Sequence, residues 1–414
     1  METQQAIFNQ IDMFKQEMVD VLKQLIHVSA IGPESSGEGE TQKADVLMKI
    51  LSHVGFDGIE RYDAVDSRVP SGKRPNIVAH YQGETDANRL WIVSHLDVVP
   101  SGEETLWKIA RPFEATVKDD CVFGRGSEDN GQSLVASVFA IKALKDLNIK
   151  PKRTIALAFV SDEEQGSAMG IQHLIGKGVF RKGDLVLVPD GGSPTGDFIE
   201  IIEKSILWFK VTTVGKQTHG SLPNKGLNAH RIGMQVALAL DEMLHAKYGK
   251  KDDYFTEPLS TFEPTKKEKN VDAVNIIPGE DVFYFDCRIL PNYDVEKVWG
   301  DIKSLVADFE AKTEAKITIE LLQKQATPPF VDGNSEVVSL LKLAIKRVRG
   351  LEAKVGGIGG GTCAAFFRKI GIPAVVWSTI DEVAHQPDEY ARISNLVEDA
   401  KVFALLSTLQ RESR

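Results

Sequence analysis

Four short apolar stretches of this sequence each lead into a histidine or an acidic residue. Apolar runs of this length, alternating with helical segments, are typical of strands in an α/β sheet. The stretches and the residues that follow them are Leu90–Ser94 before His95, Thr154–Ser161 before Glu163 and Glu164, Leu185–Pro189 before Asp190, and Ala374–Ser378 before His385. Such sheets bind ligands outside the carboxyl ends of their strands. A single acid there can simply cap a turn, but four such stretches favour a shared polar site at one sheet edge.

The middle of the chain has a different pattern. Between residues 204 and 326, strand-like stretches alternate apolar and polar residues, and helical patterns cover Ala229–Leu244 and Val295–Thr313. A strand–helix–strand–strand–helix–strand order fits a small α+β sandwich. Because 414 residues exceed one ordinary core, we predict a discontinuous α/β domain, residues 1–203 and 327–414, with an inserted α+β domain, residues 204–326. The charged stretch Gly249–Asn270 is predicted to be an exposed loop.

Composition narrows the classes of function. Apolar residues make up 42% of the chain, and the net charge of −10 without a cluster of Lys and Arg argues against a nucleic-acid partner. The cysteines, Cys121, Cys287 and Cys363, are too few and too widely spaced for a disulfide framework or a cysteine-based zinc site. Neither a secretory signal nor an apolar run of about 18 residues is visible. We expect a cytoplasmic protein without a membrane partner.

The adjacent carboxylates of Glu163 and Glu164 suggest a metal site. Two such groups at a strand end repel each other unless a cation is present. One can then bind a metal ion while the other accepts a proton from water, which makes Glu163 a candidate general base. Two residues after His95, Asp97 can accept the other ring N–H of that histidine and fix its tautomer. A solvated acidic turn and an unrelated strand-end histidine remain open alternatives.

A glycine-rich segment, Gly124–Gly131, surrounds Asp129 and precedes an apolar helical stretch, Ser133–Leu147. Glycine permits close backbone approach, and an aspartate that bridges two metal ions about 3.5–4 Å apart needs such a crowded setting. A helix-capping loop explains the segment equally well. Two other chemistries are excluded, because the chain has no G-x-S-x-G nucleophile elbow and Gly191–Gly196 is followed by Asp197 rather than by a P-loop lysine.

Several motifs occur in an order that is specific when they are taken together. They are SHLDVVP, GRGSEDNGQ, SDEEQGS, VPDGG, THGSLPNKGLNAH, VNIIPGE, DCRILP, GGGTCAAFF and AHQPDE, and they extend from about residue 90 to 389. In these motifs the chain resembles the co-catalytic zinc family of succinyl-diaminopimelate desuccinylase, acetylornithine deacetylase, aminoacylase and glutamate carboxypeptidase. The resemblance implies a mixed-sheet zinc-peptidase catalytic domain and an inserted ferredoxin-like domain that serves as a lid or in dimerisation.

The resemblance also implies roles for the matching catalytic-domain residues, with two ligand sets that share one aspartate. His95, Asp129 and Asp190 would hold one zinc ion, and Asp129, Glu164 and His385 would hold the other. Glu163 would be the general base, Asp97 would orient His95, and the Asp129–Asn130 peptide bond would be cis. Cobalt or manganese suits the same ligands.

Five further residues are implied to contact the substrate. His219 resembles the family histidine that stabilises the tetrahedral oxyanion, often across a dimer. Asn275 and Arg288 match substrate-side groups of the insert. Gly361 and Thr362, in the glycine-rich loop of the GGGTCAAFF motif, are expected to bind substrate as well. The family's insert also implies a homodimer.

The substrate is less well determined, because the chain departs from the family pattern. Members that act on carboxylate-bearing substrates often have an acid and an arginine where this chain has Cys363 and Ala365, and some desuccinylases have an arginine in place of Lys204. An arginine fork and a lysine are not interchangeable in carboxylate recognition. We predict an amide hydrolase of N-acylated amino acids such as succinyl-diaminopimelate or acetylornithine. A dipeptidase or carboxypeptidase is the alternative, and a catalytically silent ligand-binding relative is the third hypothesis.

Overall fold

The computed structural model describes residues 2–410, which form two compact units. The first contains the described residues up to Ile201, then Phe330–Val355, and the described residues from Thr362 onward. The second contains Ile202–Pro329 and Gly356–Gly361. The predicted insert, residues 204–326, falls within the second unit. This unit also contains Gly356–Gly361, which were predicted to belong to the catalytic domain.

Helices and strands alternate along most of the described chain. The α-helices of residues 2–410 are α1 (Glu2–Met13), α2 (Lys15–Ile26), α3 (Thr41–Val54), α4 (Ser133–Asp146), α5 (Ile171–Gly176), α6 (Ala229–Lys247), α7 (Val295–Lys312), α8 (Glu336–Arg349), α9 (Ala364–Lys369) and α10 (Ile393–Thr408). The strands are β1 (Gly58–Val65), β2 (Lys73–Tyr81), β3 (Thr85–His95), β4 (Thr116–Lys118), β5 (Cys121–Phe123), β6 (Arg153–Val160), β7 (Leu185–Ser193), β8 (Phe198–Glu203), β9 (Ser205–Val214), β10 (Thr218–His219), β11 (Thr261–Lys267), β12 (Ile276–Ile277), β13 (Glu280–Ile289), β14 (Lys316–Gln325), β15 (Lys354–Ile358), β16 (Ala374–Thr379) and β17 (Tyr390–Arg392).

The first unit is built on an eight-stranded mixed sheet with the order β1-β2-β6-β3-β7-β16-β8-β15. Its central strands β6, β3, β7 and β16 run parallel to one another, whereas β1, β2 and β8 pair antiparallel with their neighbours. The four parallel strands contain the apolar stretches from which the sequence predicted a common edge. These stretches are buried, as expected for parallel strands that are covered on both faces. The carboxyl ends of all four strands lie at the same edge.

Helices α4 and α10 belong to the apolar core of the first unit. Both helices are buried at most of their positions, since their apolar residues are not confined to one stripe. Helix α4 begins directly after the glycine-rich segment, so the core also fixes the position of that segment. Among residues 2–410, no helix combines the length and the apolar character that crossing a membrane would require.

The second unit contains a four-stranded antiparallel sheet with the order β11-β13-β9-β14. Alternate residues of β9, such as Leu207, Phe209 and Val211, share an apolar core with α6 and α7. This is the predicted ferredoxin-like arrangement. The prediction of a loop over Gly249–Asn270 was wrong in part, because β11 lies within it. This edge strand has exposed polar residues at most positions and includes Pro264, so its sequence shows no alternation.

Candidate metal centre

The candidate metal ligands lie at the carboxyl edge of the parallel strands. His95 is the last residue of β3, Glu164 lies in a single helical turn after β6, and Asp190 lies in β7. His385 is in the loop that follows β16, and Asp129 is in the turn that precedes α4. The parallel order of the strands thus brings together residues that are far apart in the sequence.

Asp129 lies between the two histidines. Its Oδ1 is 2.8 Å from His95 Nε2, and its Oδ2 is 3.1 Å from His385 Nε2. Each carboxylate oxygen therefore faces a different histidine. The Asp129–Asn130 peptide bond is cis, as predicted.

Two groups of three possible metal ligands occur among residues 2–410, and within each group the ligand atoms lie within 4.8 Å of one another. His95, Asp129 and Asp190 form one group, and Asp129, Glu164 and His385 form the other. Imidazole nitrogen and carboxylate oxygen suit zinc and similar divalent ions. In addition, Glu164 Oε1 is buried without a hydrogen-bond partner in the described part of the chain. The residues present therefore fit a pair of divalent metal ions.

Burial and neighbouring charges shift the pKa values of the ionisable groups at this centre. Burial raises the pKa of Glu163 well above the ordinary value, and the charge of Asp190 raises it further. Burial and the charge of Asp129 raise the pKa of Glu164 to about 7. Burial by itself would lower the pKa of His95, but the carboxylates of Asp190 and Asp129 raise it well above the ordinary value. The half-buried carboxylates repel one another in the metal-free chain, and a divalent cation would relieve that repulsion.

Asp97 has a different position from the one predicted. His95 Nδ1 lies 3.0 Å from the backbone oxygen of Asp97 and 3.6 Å from its carboxylate, so the backbone oxygen is the acceptor for the ring N–H. The carboxylate instead accepts the backbone N–H groups of Glu163 and Glu164, each at 3.0 Å. Asp97 therefore fixes the turn that carries these two glutamates.

Other buried polar residues around the centre were not singled out from the sequence. Asn130 donates from its amide nitrogen to the backbone oxygen of Pro189, at 2.8 Å, and to Asp190 Oδ1, at 2.9 Å. Glu128 and Glu389 are also buried beside the ligand segments. Both lie inside recognised motifs, but their contacts depend on tertiary structure, so the sequence offered no signal for their function.

The residues predicted to bind substrate belong mainly to the second unit. His219 is exposed in β10, and its Nδ1 lies 2.8 Å from Ser221 Oγ. The backbone oxygen of Asn275 accepts the backbone N–H of Gly220 at 2.7 Å. Arg288 in β13 forms an ion pair with Asp286 at 2.7 Å.

Two further predicted substrate residues lie in the glycine-rich loop. Gly361 belongs to the second unit and Thr362 to the first. Thr362 accepts the backbone N–H of Ala364 through its hydroxyl oxygen, at 3.1 Å. None of the five predicted substrate residues belongs to the two ligand groups of residues 2–410, and their roles stay predictions.

Comparison with known sequences gives consistent matches. The sequence profile of the peptidase family M20/M25/M40 matches residues 91–408. An uncharacterised metallohydrolase of Methanocaldococcus jannaschii is 41% identical over 404 residues, which cover 94% of this chain and 98% of that protein. Succinyl-diaminopimelate desuccinylase of Coxiella burnetii is 24% identical over 386 residues, which cover 92% of this chain and 96% of the enzyme.

Solved structures share the fold at lower sequence identity. Human carnosine dipeptidase 1 matches with a TM-score of 0.83 and 16% identity over 98% of each chain. A Bacillus subtilis protein described as a dinuclear metal-binding peptidase of family M20 has a TM-score of 0.63 and 16% identity, and the match covers 96% of this chain and 98% of the other. Since the family profile spans most of the sequence and the ligand residues lie within it, this chain belongs to peptidase family M20/M25/M40 and is a metal-dependent amide hydrolase.

Proposed function

We propose that the chain hydrolyses the amide bond of N-acylated amino acids with two bound zinc ions. His95, Asp129 and Asp190 would hold one ion, and Asp129, Glu164 and His385 the other. The observation that carries the proposal is the position of Asp129, whose two oxygens lie 2.8 and 3.1 Å from two different histidines. This position suits a bridging ligand. The dinuclear metal binding described for the Bacillus subtilis protein adds support.

Glu163 is the proposed general base. The metal ions, when bound, would polarise the carbonyl group and make the attacking water more acidic. The half-buried Glu163 carboxylate would take a proton from this water and pass it to the leaving nitrogen. Stabilisation of the oxyanion by His219 stays a prediction from the family resemblance.

Hydrolysis of a substrate panel tests the proposal. The zinc-loaded protein and Glu163→Gln would be assayed on N-succinyl and N-acetyl amino acids, succinyl-diaminopimelate, acetylornithine and dipeptides. We expect cleavage of an N-acyl class, and a loss of about 10²–10⁴-fold in kcat for Glu163→Gln, with the metal content unchanged. If both metal-loaded proteins are inert on the whole panel, the proposal fails and the silent ligand-binding protein is favoured.

A dipeptidase is the second candidate function. The similarity to human carnosine dipeptidase 1 in fold, over 98% of each chain, supports it, whereas the desuccinylase of Coxiella burnetii supports the N-acyl class. The two hypotheses share the same metal chemistry and differ in the group on the carbonyl side of the bond. Release of two free amino acids from the dipeptides of the panel, without cleavage of the N-acyl compounds, would replace the first candidate by the second.

We also propose a homodimer formed through the second unit. Met234 and Leu238 lie four residues apart on one face of α6, and they are 47% and 64% exposed. Strand β11 is an edge strand of the same unit. Apolar side chains and a free strand edge suit pairing with a second copy. Light scattering after gel filtration should give a dimer for the intact chain and a monomer for Leu238→Glu with Met234→Glu; a monomeric intact chain excludes this proposal.

A further inference from the structure

His385 is the candidate ligand that depends most on a loop for its position. Its side chain is 55% exposed, whereas the side chains of the other four candidate ligands are at most 17% exposed. The backbone of His385 has a φ of 65°, and Glu382 and Asp388 in the same loop have φ values of 61° and 57°. Left-handed conformations cost non-glycine residues about 1 kcal/mol or more each. The surrounding structure must therefore hold this loop in place.

The carboxylate of Glu128 binds the loop directly. Its Oε1 accepts the backbone N–H of Asp381 at 2.6 Å. Its Oε2 accepts the backbone N–H groups of Val383 and Ala384 at 2.7 and 3.0 Å. Glu128 is only 4% exposed, so water competes little for these bonds.

The segment that contains Glu128 is held from the opposite direction by Glu389. The Glu389 carboxylate accepts the backbone N–H groups of Gly126, Glu128 and Asp129 at 3.0, 3.0 and 3.1 Å. It also pairs with Arg125 at 2.7 Å. The residue before Asp129 thus holds the His385 loop, and a residue shortly after His385 holds the Asp129 segment.

We propose that Glu128 is a positioning residue for His385 and selectively determines metal affinity at the group formed by Asp129, Glu164 and His385. The inference rests on the proposed two-metal function. The group formed by His95, Asp129 and Asp190 does not contain the His385 loop, and two of its members lie in strands β3 and β7. Loss of the Glu128 carboxylate should therefore weaken one metal position and leave the other unchanged.

Titration of the metal-free protein with Co²⁺, followed by calorimetry and by the visible spectrum, tests this selectivity. Glu128→Gln keeps the side-chain volume but points an amide N–H₂ at backbone donors. We expect about a 10–100-fold weaker second equivalent, in the range seen when groups that orient metal ligands are lost, and an unchanged first equivalent. Glu382→Gln is the matched control, because it makes the same chemical change at an exposed position of the same loop.

Two further measurements separate positioning from a general loss of structure. Hydrogen exchange in metal-free Glu128→Gln should accelerate at the backbone N–H groups of Val383 and Ala384 relative to the control. In a His385→Ala background, Glu128→Gln should no longer change the affinity for Co²⁺, because the effect acts through His385. If Glu128→Gln fails to fold, Glu128→Asp serves in its place, since it keeps the charge and only shortens the reach.

The outcomes distinguish this inference from the proposed function. Two equivalents with unchanged affinities in Glu128→Gln overturn the role of Glu128 and leave the two-metal centre standing. Fewer than two equivalents in the intact protein overturn the proposed centre itself. An equal weakening of both equivalents also contradicts the inference, because it indicates general loosening of the centre.

Discussion

The Oδ1 atom of Asp97 accepts the backbone N–H of Glu163 at 3.0 Å. This hydrogen bond joins the end of β3, which carries His95, to the turn after β6, which carries the proposed general base. The second carboxylate oxygen binds the next backbone N–H, so both oxygens of Asp97 are occupied by the same turn. Asp97 thereby acts on the proposed chemistry through the position of Glu163.

Replacement of Asp97 tests this relationship. In Asp97→Asn, one oxygen is lost and an N–H₂ group faces a backbone donor, so the Glu163 turn should shift. We expect kcat to fall about 10–100-fold, because the proposed general base Glu163 would no longer be held in place. Steady-state kinetics on the substrate found with the panel provide the measurement. The exposed Asp308→Asn is the control, and full kcat in Asp97→Asn would rule out the positioning role.

Metal ions should stabilise the folded chain. Four half-buried carboxylates lie close together at the candidate metal centre, those of Asp129, Glu163, Glu164 and Asp190. Their repulsion disfavours the fold without a cation. Binding to the folded state alone contributes about 2.7 kcal/mol when free metal is at 100 times its dissociation constant.

Thermal denaturation of the chelated protein at increasing Zn²⁺ checks this expectation. The melting temperature should rise with zinc and fall again when a chelator is added in excess. His95→Ala should show a smaller rise, since it lacks one ligand. An equal rise in both proteins would indicate that zinc stabilises the chain at some other place.

Asp399 should make stability depend on pH away from the metal centre. Its carboxylate accepts the backbone N–H of Thr379 at 2.9 Å and the Thr379 hydroxyl at 2.7 Å. Burial nevertheless raises the pKa of Asp399 from 3.8 to about 6. The folded state therefore binds this proton more tightly than the unfolded state, and stability from this group is highest below about pH 4 and falls as the pH rises to about 6.

Chemical denaturation of the intact chain and of Asp399→Asn between pH 4 and 7 measures this effect. The free energy of unfolding of the intact chain should fall by about 2 kcal/mol relative to Asp399→Asn across that range, since asparagine has no proton to release. Asp308→Asn, at an exposed position, should follow the intact chain. Parallel curves for the intact chain and Asp399→Asn would show that the Asp399 pKa is not raised.

A feature could be predicted from the sequence where the interactions that determine it lie within a few residues of one another in the chain. The strand before His95 and the Glu163–Glu164 pair could be identified because burial, chain direction and ligand chemistry are visible within a few residues. The position of the Asp97 carboxylate could not be identified in this way. The ring N–H of His95 donates to the backbone oxygen of Asp97 instead, and the Glu163 turn approaches the carboxylate only in the folded chain. Strand β11 was not predicted, because an edge strand with exposed charges does not need alternating apolar residues.

Glu128 and Glu389 were missed for a related reason. Each lies inside a motif that the sequence analysis recognised, yet the groups that bind them are backbone N–H groups, which every residue other than proline carries. The identity of a residue such as Val383 or Gly126 therefore gives no sign that its backbone binds a buried carboxylate. Local chemistry favoured a shared polar site, the family resemblance implied its ligands, and only the tertiary structure revealed what positions them.

Gly192 is required by the close approach of β7 and β16. A Cβ atom at this residue would lie 1.9 Å from the backbone oxygen of Ser378, its partner in the sheet. Gly192→Ala must therefore push the two strands apart near Asp190, and we expect a loss of about 1–3 kcal/mol in the free energy of unfolding.

A matched substitution at Gly300 should have the opposite effect. Gly300 lies inside α7, and a Cβ atom there meets no heavy atom within 4 Å. Alanine restricts the unfolded chain and favours the helix, so Gly300→Ala should stabilise the protein by about 0.5–1 kcal/mol. Urea denaturation of both variants compares the two positions directly. A stable Gly192→Ala with unchanged Co²⁺ affinity would mean that β7 can move away from β16 without displacing Asp190. The pairing of β7 with β16 would then contribute little to holding this metal ligand.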